Sequence, residues 1–189
     1  MDRVDIDVSA LSPFYQTLSD LVGVEQMIKL YDSYCGGMFR FPNHLYKAKF
    51  VIGKIVQEFD GNNANLLARK FGYSEQWLRI RLWQHGCGDR LLSLDPMLSI
   101  VPVIEGDLDY EMLHPFYRDF YQLLGSKYLK ILYMAFHGIK IEFPPYLYDA
   151  DLVARTVLKQ YNGHNKKQLI LRYGYGKDWI DDVLNWNQE

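Results

Sequence analysis

The chain has 189 residues, with 21 Lys+Arg against 23 Asp+Glu, 49% hydrophobic and 23% charged residues. This balance excludes disordered and fibrous chains, and the length leaves room for one large domain or two small ones. No stretch approaches the ~20 apolar residues of a membrane helix, and the acidic start Met1-Asp2-Arg3-Val4-Asp5 lacks the basic end of a signal peptide. A cytoplasmic protein with no membrane partner is therefore expected.

Cys35 and Cys87 stand far apart, with neither a CxxC nor a His pair at ligand spacing, so both read as buried free thiols. Aromatic residues make up 15% of the chain and include 15 Tyr, whose expected use is packing in small cores.

In chain order, Ser12-Pro13 reads as an N-cap followed by a proline at the first helical position, and Gly23 ends that helix. A second helix is predicted from about Val24 to Tyr34, with Met27, Leu30, Tyr31 and Tyr34 on one face. Met38, Phe39, Arg40 and Phe41 then alternate in polarity as a short strand with one buried face. A third helix is expected over roughly Leu45 to Phe59, closed by a left-handed turn at Gly61 and followed by Asn63 as the next N-cap. The run from Leu66 to Leu82 then gives a short helix, a glycine turn and a second helix. Ala68 is small where the helices cross, Gly72 is free to take positive φ, and Ser74 caps the second helix, which together predict a helix-turn-helix.

Residues 13 to 83 match residues 115 to 185 at a constant offset of 102 without a gap, with 21 identities in 71 positions. The second set includes Pro115-Phe116-Tyr117, Gly125, Gly163, Asn165, Gly174 and Trp179, and a second strand of Lys140, Ile141, Glu142 and Phe143. Six acids against Arg90 alone occupy residues 89 to 114, where Pro96 and Pro102 stiffen the chain and Ile100-Val101 and Val103-Ile104 suggest a packed extended segment. The expected organisation is copy 1 with a helix-turn-helix (13–88), an acidic linker (89–114) and copy 2 with a degenerate helix-turn-helix (115–189). The fold class is mainly α: two tandem helical helix-turn-helix domains, each with one short β-strand. A four-residue strand cannot leave its backbone unpaired, so the two strands should pair antiparallel about an internal pseudo-twofold, with Arg40 and Glu142 bringing opposite charges to the sheet.

The sequence of Gly36-Gly37 to Phe41-Pro42, the third helix, Phe59-x-Gly61-x-Asn63 and Leu67-Ala68-x-Lys70-Phe71-Gly72-x-Ser74 resembles the Mor family of phage transcription activators, along most of both copies. The resemblance implies a DNA-binding regulator that contacts double-stranded DNA and the RNA polymerase, with the family's dimer folded into one chain that is a monomer in solution. Residues expected around the DNA are Asn62, Arg69, Lys70, Ser74, Gln76, Arg79 and Arg81 in copy 1, and Lys166, Lys167, Arg172 and Lys177 in copy 2. Arg and Gln have the geometry to read base edges, and Arg79, one residue beyond buried Leu78, is expected to project outward.

The departures lie in copy 2, where Ile170 replaces the small crossing residue, Gly176 replaces the cap, and Asp178, Asp181 and Asp182 would repel phosphates. A protein-binding module using the acidic surfaces of the linker and copy 2, as an inhibitor or adaptor, is the alternative. His44, His85, His114, His137 and His164 fall in different elements with no nucleophile or metal spacing, so no catalytic residue, metal site or cofactor is expected. Trp77 and Trp179, at equivalent positions, are read as packing residues rather than base-stacking ones.

Overall fold

A computed structural model describes residues 6–87 and 106–186, so most of the acidic linker, including the Ile100 to Ile104 segment expected to pack, lies outside the described residues. The fold is mainly helical with one two-stranded antiparallel sheet. Helices α1 (Pro13–Val22) and α2 (Val24–Tyr34) lead to β1 (Met38–Arg40), followed by α3 (Ala48–Glu58), α4 (Ala64–Phe71) and α5 (Glu75–Leu82). After the linker come α6 (Pro115–Phe136), β2 (Lys140–Glu142), α7 (Ala150–Gln160), α8 (Lys166–Tyr173) and α9 (Lys177–Trp186). Single 3-10 turns precede α1 at Val8–Ala10 and α6 at Tyr110–Met112.

The hairpin α1–α2 has no loop. Gly23, at φ 82° and ψ 157°, is at once the C-cap of α1 and the N-cap of α2. Gly125 does the same inside α6, at φ 80° and ψ 174°, so α6 is two helices meeting at one residue that only glycine tolerates there.

Two compact units divide the chain, and they cut across the sequence repeats. The first unit holds the residues up to Phe39 and those from Glu142 onward, and the second spans Arg40–Ile141. Each thus combines the helical hairpin of one repeat with the proline segment and three last helices of the other. The physical reason is the segment after each strand. Pro42 and Pro144 open an extended stretch whose carbonyls cannot bond within itself, so donors must come from elsewhere.

In the first unit the Tyr15 hydroxyl donates to the Pro144 carbonyl at 2.6 Å, Tyr31 to that of Pro145 at 3.1 Å and Tyr175 to that of Tyr148 at 2.8 Å. An isolated bridge joins Leu11 to Tyr148. In the second unit Tyr117 donates to Pro42 at 2.5 Å, Tyr133 to Asn43 at 2.9 Å and Tyr73 to Tyr46 at 2.8 Å, and a bridge joins Tyr46 to Leu113. Part of the tyrosine richness of the sequence is thereby accounted for: six of the 15 side chains are buried or partly buried clamps on an extended backbone. The same bonds correct the expected start of the third helix. Leu45 to Lys47 are held extended, with His114 N–H donating to Leu45 and Lys47 N–H to Met112, so α3 begins at Ala48.

Phenylalanines fill what the tyrosines frame. Phe41 is 1% exposed and packs on Phe116, Phe120 and Phe136 at centroid distances of 5.0, 5.3 and 5.7 Å. In the other unit Phe143 meets Phe14 at 5.1 Å and Tyr34 at 5.8 Å. Val51 and Ile55 of α3, and Val153 and Val157 of α7, are fully buried, as the apolar stripe predicts.

The strands pair within one residue of the expected bounds, but the charge pattern differs. Phe41 N–H donates to the Ile139 carbonyl at 2.9 Å and Phe143 N–H to the Gly37 carbonyl at 2.8 Å. That register sets Met38 opposite Glu142 and Arg40 opposite Lys140, so Arg40 faces a like charge and not Glu142. Like charges directly opposite one another destabilise a sheet pair. Lys140→Glu is therefore expected to raise stability by ~0.2–1 kcal/mol, read as a higher urea midpoint at unchanged m value.

Other local expectations are also revised. Asn63 and Asn165 occupy N-cap positions without capping the helix by side chain. Each instead ties the loop before it: Asn63 Nδ2 donates to the Glu58 carbonyl and Asn165 Nδ2 to that of Gln160, both at 2.9 Å. Ser12 likewise precedes α1 without a side-chain cap bond. Of the two thiols, Cys87 is buried and Cys35 is exposed. Gly61 and Gly163 take positive φ, as expected. Among the described residues no helix is long and apolar enough to cross a membrane.

Candidate functional site

The segment α4–α5 lies in the second unit and keeps the turn and the cap read from the sequence. Gly72 sits in the left-handed region at φ 69° and ψ 34°, and its N–H returns to the carbonyls of Ala68 and Arg69. Ser74 Oγ accepts from Trp77 N–H at 3.2 Å, which caps α5. Ala64, Leu67, Ala68, Phe71, Leu78 and Leu82 are buried, with Ala68 2% exposed. Removing the Ser74 hydroxyl by alanine is expected to cost ~1 kcal/mol of stability.

An aromatic ladder supports the turn. His44 stacks on Tyr73 at 4.3 Å, Tyr73 stacks on Trp77 at 4.1 Å, and the Arg81 guanidinium lies 5.5 Å from the Trp77 ring. His44 Nδ1 also makes a 3.0 Å hydrogen bond with the Gly72 carbonyl. Burial pushes the Tyr73 hydroxyl up to about 12, so it remains a neutral donor to Tyr46.

The basic residues named from the sequence divide by what holds them. Arg79 bonds Glu75 at 2.7 Å, and the two side chains are only 19% and 21% exposed. It does not project outward as expected: one residue past Leu78 on a helix is a turn of about 100°, which leaves it on the flank beside Glu75. Lys70 is bound to Glu58 at 2.7 Å, and Lys166 to Asp181, which raises the lysine pKa. Ser74 serves as the cap. Arg81 is exposed, and besides its ring contact bonds Gln84 at 2.8 Å. Asn62, Arg69, Gln76, Lys167, Arg172 and Lys177 are exposed, Arg172 lying over the Tyr173 ring at 5.6 Å.

The exposed face of α5 is mixed, because Ile80 is 50% exposed and Trp83, just beyond the helix, 70%. Neither was singled out from the sequence, although both fall with Gln76 and Gln84 on the stripe opposite Leu78 and Leu82.

The segment α8–α9 in the first unit differs in the way its sequence suggests. Gly174 keeps the left-handed turn at φ 74°, but Gly176 offers no side-chain oxygen to α9. Asp178 and Asp182 are exposed. Tyr146, Tyr175 and Trp179 repeat the ladder, with centroids 5.2 and 4.2 Å apart, so both equivalent tryptophans stack on tyrosine. An open groove of about 520 Å³ lies between α7 and α9. A second cleft of about 370 Å³, in the other unit, is lined by the Lys54–Asp109 and Lys70–Glu58 pairs and by Asp107.

Compared with family models, curated proteins and solved structures, the chain matches none.

The other histidines have local partners or face solvent. His114 Nδ1 accepts from Phe116 N–H at 3.3 Å as a helix cap, and His137 bonds the Tyr133 carbonyl at 2.9 Å. His85 and His164 are exposed. Among the described residues no group of three or more His, Cys, Asp or Glu could hold a metal ion.

Proposed function

We propose that the chain is a sequence-specific DNA-binding regulator of transcription, similar to the Mor family, acting as a monomeric single-chain pseudodimer and touching duplex DNA through α4–α5. One observation supports this reading: a left-handed turn at Gly72, the Ser74 cap and buried Ala68 join α4 to α5, and α5 leaves Gln76 and Arg81 exposed. Gln can bond adenine edges and Arg guanine edges, while Arg69 and Asn62 suit backbone contacts. RNA polymerase is the protein partner this reading implies.

Duplication about an internal pseudo-twofold is supported by the helices and strands recurring 102 residues apart and by the antiparallel strand pair. The role given to Arg79 passes to Arg81, since breaking the Glu75 pair would oppose any base contact made by Arg79.

Fluorescence anisotropy with random duplex at 50 and 200 mM salt tests the proposal. Binding should fall steeply with salt, and Arg69→Ala should reduce the log–log slope by about 1. Absence of any salt-sensitive binding would remove the reading. The second reading, a protein-binding surface in the first unit, is favoured by one observation: α9 presents exposed carboxylates where α5 presents Ile80 and Gln76.

A further inference from the structure

We infer that the groove between α7 and α9 is a docking site for an arginine-bearing segment of a partner protein, with the guanidinium seated on the Trp179 indole and held by Asp151 and Asp182. The inference deepens the protein-binding reading of the first unit and rests on it; duplex binding by α4–α5 neither supports nor opposes it.

The repeats diverge in side-chain volume at this groove. Its walls include Ala154, Asp182, Val183 and Asn185. At offset 102 the other repeat has Ile52, Ile80, Arg81 and Trp83. Four large side chains have thus become smaller ones around a tryptophan that both repeats keep.

The occupant is indicated by what the chain does at the equivalent position. Over Trp77 lies the guanidinium of Arg81, 5.5 Å from the ring. Position 183 holds Val in its place, so Trp179 lines the groove without a cation of its own. A cation over an indole face is attracted by the ring quadrupole, and more strongly where water is partly excluded.

Charge points the same way. Asp151 and Asp182 line the groove, both exposed, and neither has an ion-pair partner among the described residues. The equivalent residues of the other repeat are Lys49 and Ile80, so this pair of carboxylates belongs to the first unit alone. An apolar floor of Ala150, Ala154 and Val183 with two carboxylates suits a planar, weakly hydrated guanidinium better than a compact ammonium. The span of about 520 Å³ accommodates an arginine with the apolar neighbours of a peptide.

The test follows the indole N–H resonance of Trp179, assigned with Trp179→Phe, in the full chain without DNA. The probe is a 15-residue alanine–leucine peptide with one central arginine. Expected is a saturable shift of that resonance, at least tenfold weaker binding with Asp151→Asn plus Asp182→Asn, and no binding when citrulline replaces the arginine. Val183→Arg, which recreates the arrangement of the other repeat, should also abolish it, and the two surface Asn changes keep the test valid if that variant fails to fold. Equal binding of the citrulline peptide, or no shift at millimolar peptide, would overturn the inference. So would free arginine amide binding as well as the peptide, which makes the groove a small-molecule site, or a Trp179 shift that grows with protein concentration alone, which makes the occupant a second copy.

Discussion

Phe41→Ala is expected to destabilise the protein by ~3–5 kcal/mol, the range for emptying a buried aromatic site. The side chain is 1% exposed and lies within 6 Å of three phenylalanine rings, which belong to helices flanking it on both sides of Gly125. Rings held by two abutting helices cannot collapse into the space, so the cost should fall at the upper end of the range. The loss extends beyond packing. Phe41 is also where the backbone passes from the sheet into the segment clamped by Tyr117 and Tyr133, and a loosened ring would weaken those clamps too. Because a domain of this size is stable by only ~5–15 kcal/mol, the substitution should remove a large part of that margin. Met38→Ala, in the adjoining strand β1 but 54% exposed, should change stability by less than ~0.5 kcal/mol. Urea unfolding distinguishes the two, and a loss under about 1.5 kcal/mol at Phe41 would mean that the cluster is not the core of its unit.

Much of this architecture was legible because it is local. Proline at the first helical position, glycine between helices, and apolar side chains every third or fourth residue placed α1, α2, α4 and α5 close to where they lie. The strands were legible by elimination, since two lone short strands have few partners besides each other. What the sequence did not reveal was partnership at long range. Nothing in a list of tyrosines says that Tyr117 will reach Pro42, 75 residues away. The composition of the compact units was therefore hidden, although the 102-residue repeat was plain.

The candidate site shows the same split. The turn at Gly72 and the cap at Ser74 were readable from their neighbours. The Glu75–Arg79 pair was readable too, being an i,i+4 pair, and it holds Arg79 on the flank of α5. By contrast, Lys166 meets Asp181 across 15 residues and two helices, which no local pattern encodes. The groove at Trp179 is intermediate: its volume could be inferred only by comparing each repeat with the other, residue by residue.

The tyrosine clamps make a second large prediction, a loss of the fold between pH 10 and 12. Burial pushes Tyr46, Tyr73, Tyr133 and Tyr175 up to about 12, and Tyr15 and Tyr117 higher still. In the unfolded chain a tyrosine ionises near 10. Above that pH the unfolded state has shed protons that the folded state retains, so stability falls as pH rises. The contribution of each hydroxyl is complete below pH 10 and disappears as the pH passes through its folded value. The slope is ~1.4 kcal/mol per pH unit for each such tyrosine, so four of them remove most of a domain's stability within one to two units. Tyrosinate absorbance and loss of helical circular dichroism should consequently rise together in one steep transition. Tyr133→Phe provides the internal check. It leaves the Asn43 carbonyl without its donor, at a cost of ~1–3 kcal/mol at neutral pH, yet makes the alkaline slope shallower by ~1.4 kcal/mol per unit. If the tyrosines instead titrated near 10 with the helices intact, their hydroxyls would not be buried donors and the clamps on the extended segments would be wrong.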